Sequence, residues 1–145
     1  MRIFLATDHA GFKLKEKVKK VLVEKSYDVL DKGAFAPNAD DDYPDFIQVA
    51  AREISNSPQD MAIIFGGSGQ GEAIAANRFP HVRAAVFYGG SEEIVKLSRE
   101  HNNANVLSIG ARFLGDEEAI HAILLWLETP FSGDQRHKRR IKKLA

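Results

Sequence analysis

Phe65-Gly66-Gly67-Ser68-Gly69-Gln70-Gly71-Glu72-Ala73-Ile74-Ala75-Ala76-Asn77 follows the apolar run 61–65 and leads into alanine-rich sequence of helical character. The order is therefore strand, glycine turn, helix. Four glycines in the six residues 66–71 let the backbone turn sharply, present several N–H groups to one point and keep Cβ atoms out of a ligand's way. Such donors, backed by a helix N-terminus, favour an oxyanion or a phosphate. Glu72 falls in the first turn of that helix, where a carboxylate suits proton transfer. The same pattern also serves ordinary doubly wound architecture, with an early helical Glu complementing the helix dipole. It is not a Rossmann fingerprint, because no acidic residue in a strand-end context follows about 20 residues later, and the Walker lysine is missing.

Outward from this stretch the chain alternates. Toward the N-terminus, residues 2–7 form a short run of β-formers that ends at Asp8-His9-Ala10-Gly11, and residues 12–25 place Leu14, Val18, Val21 and Leu22 on one helical face. The lysines of that segment read as a solvated face. Residues 27–31 give a second strand, and residues 33–42, with Pro37, Asn38 and Asp40-Asp41-Asp42, read as a solvated loop rather than a metal site. Tyr43-Pro44-Asp45 opens a helix whose buried stripe is expected at Phe46, Val49, Ala50 and Ile54. Tyr43 either lines a pocket or staples the start of this helix.

Toward the C-terminus, residues 83–87 make a fourth strand, and Ser91 caps a helix carrying Ile94, Val95 and Leu97 that ends near His101-Asn102-Asn103. Residues 106–109 make a fifth strand, which exits through Gly110-Ala111-Arg112. Asp116 begins a helix with Ile120, Ile123, Leu124 and Leu127 at the helical repeat, stopped by Pro130. Five strands alternating with helices predict a doubly wound α/β fold, a five-stranded parallel sheet with helices on both faces. Ligands of such folds collect at the carboxyl ends of the strands, which gathers Asp8, His9, the glycine loop and Arg112 along one edge. Residues 134–140 begin a basic C-terminal helix, in which Arg136 and Arg140 share a face and suit one phosphate. A solvated basic tail is the competing reading.

At 145 residues the chain is expected to be one domain, residues 1–145, able to bury roughly 68–70% of its unfolded surface. It has no cysteine, which excludes a thiol base and thiolate metal sites and suits a reducing cytoplasm. Twenty Lys and Arg balance twenty Asp and Glu, so no global field points to nucleic acid or membrane. No apolar run approaches the ~20 residues of a membrane span, and the N-terminus opens on a strand pattern rather than a signal peptide, so a cytoplasmic location is expected.

Five motifs in order are similar to those of the type B ribose-5-phosphate isomerases, a family that also contains the galactose-6-phosphate isomerase subunits. They are Asp8-His9-Ala10-Gly11, Asp42-Tyr43-Pro44, the stretch 66–77, Arg99-Glu100-His101-Asn102-Asn103, and Gln135-Arg136-His137-Lys138-Arg139-Arg140-Ile141. The resemblance spans almost the whole chain. It implies interconversion of ribose 5-phosphate and ribulose 5-phosphate through an enediolate, with no metal and no organic cofactor. Some members of the family use a cysteine immediately before the glycine loop as base; Gly66 stands there in this chain, which resembles the branch whose base is the glutamate at Glu72.

By the same resemblance His101 assists furanose opening, and Asp8 and Ser68 handle hydroxyl protons. His9, Tyr43, Asn102 and the loop Gly67, Ser68, Gly69, Gln70 and Gly71 bind substrate, while Arg112, Arg136 and Arg140, with His137, bind the phosphate end. Proton transfer between adjacent carbons needs one carboxylate within reach of both and preorganised donors for the enediolate oxygen, which Glu72 and the loop N–H groups supply. An allose-6-phosphate or galactose-6-phosphate isomerase and a non-catalytic phosphosugar sensor remain as alternatives. His101 and Asn102 follow a helix and precede a strand, so they fall at the edge opposite to Asp8 and Glu72. A homodimer, or a dimer of two dimers, that shares its sites across an interface is therefore expected, with a small sugar phosphate as its ligand.

Overall fold

The computed structural model describes residues 1–144. In chain order its elements are β1 (Arg2–Thr7), α1 (Phe12–Glu24), β2 (Asp28–Asp31), α2 (Tyr43–Asn56), β3 (Met61–Gly66), α3 (Gln70–Ala76), β4 (Ala84–Phe87), α4 (Glu93–Glu100), β5 (Val106–Gly110), α5 (Asp116–Glu128) and α6 (Gln135–Lys142), with a 3-10 turn at His9–Gly11. All strand pairs are parallel, in the order β2-β1-β3-β5-β4. This is the expected doubly wound sheet.

Strand alternation divides the core in two. Ile3, Leu5, Ile63, Phe65, Leu107 and Ile109 face α1, α4 and α5, whereas Phe4, Ala6, Ala62, Ile64 and Val106 face α2 and α3. Because both faces are covered, β3 and β5 are buried at every position and β1 at all but Arg2, rather than at every second one. The chain leaves β1 toward β2 on one side while β3 lies on the other, and a crevice opens where those directions diverge. The register pairs Thr7 with Phe65 and Gly66 with Gly110, which brings Asp8, the glycine loop and Ala111-Arg112 to one level above the sheet.

Several helix faces depart from the expected stripes. In α1 the buried set is Leu14, Lys15, Val18 and Leu22. Lys15 is fully buried rather than solvated: its ammonium donates to both carboxylate oxygens of Asp31 at 2.7 Å and to the Ala34 carbonyl at 2.7 Å. Burying one charge is costly, and a paired carboxylate plus a carbonyl offsets that cost. Although burial works against its charged form, hydrogen bonds from Lys15, Lys19 and the Gly33 N–H hold the Asp31 carboxyl below its ordinary value. In α2 Ile47, Ala50, Ala51 and Ile54 are buried and Val49 is exposed; in α4 Val95, Ser98 and Arg99 are buried and Ile94 is exposed. Helix α5 turns Ala119, Ala122, Ile123 and Trp126 fully inward, with Ile120, Leu124 and Leu127 packed at the margin. Ser91 lies one residue ahead of the N-cap of α4, its hydroxyl accepting the Glu93 N–H at 3.3 Å.

Candidate active site

The glycine loop owes its shape to β5. Ala111 N–H donates to the Gly66 carbonyl at 2.8 Å, Arg112 N–H to the Gly67 carbonyl at 3.1 Å, and the Ser108 hydroxyl to the Gly69 carbonyl at 2.7 Å. With its carbonyls tied to the neighbouring strand, the loop cannot rotate its peptides freely. Gly69 has φ of +80° and packs on the Gly110 backbone and Ser108, a left-handed turn in a space too tight for a side chain. Gly66 lies so close to Glu72 that a Cβ there would overlap the Glu72 carboxylate.

Glu72 is 4% exposed, inside the first turn of α3. Burial raises its carboxyl above the ordinary value of 4.5 and the negative charge of Asp8 adds to the rise, while the N–H groups of Glu72 itself and of Gly69 draw it partly back. A carboxylate made more basic in this way is a better proton acceptor at neutral pH. Gly69 is thus occupied with Glu72, and Gly67, Ser68 and Gly71 are the loop members that line the cavity.

That cavity measures about 500 Å³ and is lined by Asp8, His9, Tyr43, Ser68, Glu72 and Arg112, together with Ala10, Gly67, Gly71 and Phe113. Asp8 accepts the Ala10 N–H at 3.0 Å, so it caps the 3-10 turn and faces the cavity at once. The Tyr43 hydroxyl lies against Gly71, which makes this side chain part of the cavity wall. Arg112 lies over Gly67 and, among the described residues, has no carboxylate within salt-bridge distance. Phe113 was given no role by the sequence; its signal is an apolar residue directly after the strand exit. Gln70 is exposed and does not line the cavity.

Asp41 was the other omission. Of the three consecutive aspartates, Asp40 and Asp42 are exposed, but the Asp41 side chain is 8% exposed and its Oδ1 meets His9 Nδ1 at 2.6 Å. The whole loop therefore is not a solvated one. Asp8, His9 and Asp41 offer ligand atoms within 4.8 Å of one another, yet Asp8 Oδ1 and Asp41 Oδ1 already accept hydrogen bonds from Ala10 and His9.

His101, Asn102, Arg136, His137 and Arg140 do not reach this cavity. His101 stacks on His137 with ring centroids 4.2 Å apart and 20° between planes. Burial, then the neighbouring His101 and Arg136, push the His137 imidazole below its ordinary value, which favours the neutral ring. Asn102 faces a separate hollow beside Asn77, Arg83 and Ser98 that contains no carboxylate. Arg136 and Arg140 are exposed on α6; Arg136 sits 3.6 Å from Asp134. The single chain therefore carries two groups of candidate site residues, on opposite edges of the sheet.

Among the described residues no helix is long and apolar enough to cross a membrane. A family model described as Ribose/Galactose Isomerase matches residues 3–144. The ribose-5-phosphate isomerase B of Mycolicibacterium paratuberculosis is 43% identical over 145 residues, covering 100% of this chain and 90% of the relative. That of Mycobacterium tuberculosis is 42% identical, covering 100% of this chain and 88% of the relative. Among solved structures, ribose-5-phosphate isomerase B from Mycoplasma genitalium with bound ribulose-5-phosphate superposes with a TM-score of 0.94 at 39% identity, over 99% of this chain and 93% of that one. The match runs through both groups of site residues and the strands between them, and the chain belongs to the ribose/galactose isomerase family.

Proposed function

We propose that this isomerase interconverts ribose 5-phosphate and ribulose 5-phosphate, with Glu72 as the base. The observation that carries this reading is Glu72 itself: a carboxylate buried at a glycine loop, made more basic by its surroundings, facing the same cavity as Asp8, Ser68 and Arg112. A protein that only bound sugar phosphates would gain nothing from a carboxylate beside an anion-binding loop. In the open-chain aldose, Glu72 removes the proton from C2 and returns it to C1. The C2 hydroxyl proton passes to the C1 oxygen through Asp8 and Ser68, and loop N–H groups hold the enediolate oxygen meanwhile. No redox partner is required, because the hydrogen lost at C2 is regained at C1.

The second group of residues completes the site from a second copy of the chain. His101 then delivers proton transfer for ring opening, and Arg136, Arg140 and Arg112 clamp the phosphate. This reading is supported by the separation of His101 from Glu72 in one chain, since the four residue steps along β5 alone span about 13 Å. Turnover with ribose 5-phosphate, allose 6-phosphate and galactose 6-phosphate, each with excess chelator, tests the assignment. Turnover of the five-carbon substrate with chelator present is expected. Preference for a six-carbon sugar, or activity restored only by a divalent ion, would overturn it.

A further inference from the structure

We propose that Asp41 is a positioning residue for His9, holding the imidazole so that its Nε2 is presented to the bound ligand; this rests on the sugar-phosphate reading above. Asp41 Oδ1 takes both donors of His9, the backbone N–H at 3.0 Å and Nδ1 at 2.6 Å. An ionised carboxylate only accepts, so the proton of that second bond is on Nδ1, and Nε2 is the nitrogen left for the cavity that His9 lines. Holding the backbone and the ring of one residue from one oxygen fixes both the direction and the tautomer of the side chain.

The loop is built to keep Asp41 in place. Its start is tied to β1 by Thr7 N–H to the Gly33 carbonyl at 2.7 Å and Ala34 N–H to the Thr7 carbonyl at 2.9 Å, with Lys15 on the Ala34 carbonyl. Near its end Asn38 accepts the Asp40 N–H on its side chain at 3.0 Å and the Asp41 N–H on its carbonyl at 3.1 Å. The inward turn carries a cost, because Asp41 Oδ2 is buried without a hydrogen-bond partner among the described residues. His9 is also the only ion-pair partner that Asp41 has among them. A residue serving the loop alone would leave its carboxylate in water, as Asp40 and Asp42 do.

The test is a cycle of Asp41→Ala, His9→Ala and the double variant, with kcat and KM measured separately. The nitrogen-15 spectrum of His9 is recorded in substrate-free wild type and Asp41→Ala. Asp41→Ala is expected to lower kcat/KM about ten-fold, mostly through KM, and to have no further effect in the His9→Ala background. The spectrum should show the Nδ1-protonated ring in wild type and a mixture of tautomers in the variant. Asp41→Asn, which keeps an accepting oxygen, should recover activity to within about three-fold of wild type and guards against a folding failure of Asp41→Ala. The proposal is overturned if Asp41→Ala costs as much with His9 already removed, or if the His9 ring keeps its tautomer without Asp41. Should wild type turn over none of the sugar phosphates, the assignment of substrate fails, and the spectrum alone decides the role of Asp41.

Discussion

The edge of the sheet that carries Glu72 is fixed by short ties, with the carbonyls of Gly66, Gly67 and Gly69 engaged by Ala111, Arg112 and Ser108 and Glu72 buried against the loop, whereas the edge that carries His101 adds two long arginine side chains to backbone bonds such as His101 N–H to the Leu97 carbonyl at 2.9 Å. There Arg99 reaches Asn103 Oδ1 at 2.9 Å, the Ala104 carbonyl and the Thr129 carbonyl, Arg83 holds the Asn103 carbonyl at 2.9 Å, and His137 stacks on His101. Short ties leave a loop less freedom than long arginine side chains do. Under the proposed function the difference suits a division of labour: proton transfer at carbon tolerates little misplacement, while a doubly charged phosphate is held by charge over a broader range of positions.

Removal of the proposed base, Glu72, is the strongest way to break this division. Glu72→Gln keeps the size and removes only the basicity, so turnover should fall ~10²–10⁴-fold while binding of a sugar phosphate, measured by calorimetry, stays nearly unchanged. A loss under about ten-fold would place the base elsewhere. The same variant tests whether two copies share a site. Glu72→Gln and His101→Ala, each inactive, should regain about a quarter of native sites when unfolded together and reassembled as random mixed dimers. Verified mixed dimers as inactive as their parents would put both residues in one chain's site.

Gly66→Ala probes the tightness of the first edge while leaving the Glu72 side chain chemically unchanged. The new methyl group would overlap the Glu72 carboxylate, which is the flexible end of its side chain, so the base moves while the backbone stays. A displacement of about 1 Å can cost ~10²-fold in rate, and turnover should fall by that order with little change in melting temperature. Equal losses of rate and stability would show that the loop itself had collapsed.

How far these two edges were legible in the sequence follows from the same contrast. Strand, glycine turn and carboxylate lie within residues 61–72, so the first edge could be read locally and the sheet inferred from the alternation around it. Lys15 and Asp41 could not, because their burial depends on Asp31, Ala34 and His9, which only the folded chain brings near. Periodicity also misplaced Ile94 and Val49: it ranks residues by polarity, and short helices with few large side chains leave the direction of the buried face ambiguous. The second edge was legible only by family resemblance and by the rule that residues between a helix and the next strand sit at the far end of the sheet.

On that second edge the effects should be smaller and of a different kind. Arg136→Ala and Arg140→Ala are each expected to raise KM about ten-fold with kcat little changed, the size of a lost charge-assisted hydrogen bond. A pure turnover defect in both would argue that α6 does more than bind phosphate.

The smallest effect sharpens the electrostatic side of the comparison. The Glu72 carboxyl is raised in the folded state, so its contribution to stability is fully favourable below its ordinary value of 4.5 and is lost as pH rises through the folded value. Glu72→Gln should therefore melt at the same temperature as wild type in acid and slightly above it at neutral pH, as read by scanning calorimetry from below the ordinary value of 4.5 up to neutral pH. A gap that is constant with pH would mean that burial does not disfavour the ionised form.

Gly66 and Glu72 finally act as one heritable unit. The volume that a side chain at residue 66 would fill is the volume the carboxylate occupies, so each position restricts what the other can be. A lineage moving its base from one position to the other would find either single step harmful and the pair acceptable, a case of sign epistasis across six residues. Relatives with a larger residue at the first position should carry a smaller or redirected one at the second, and an engineer who changes one should change both in the same clone.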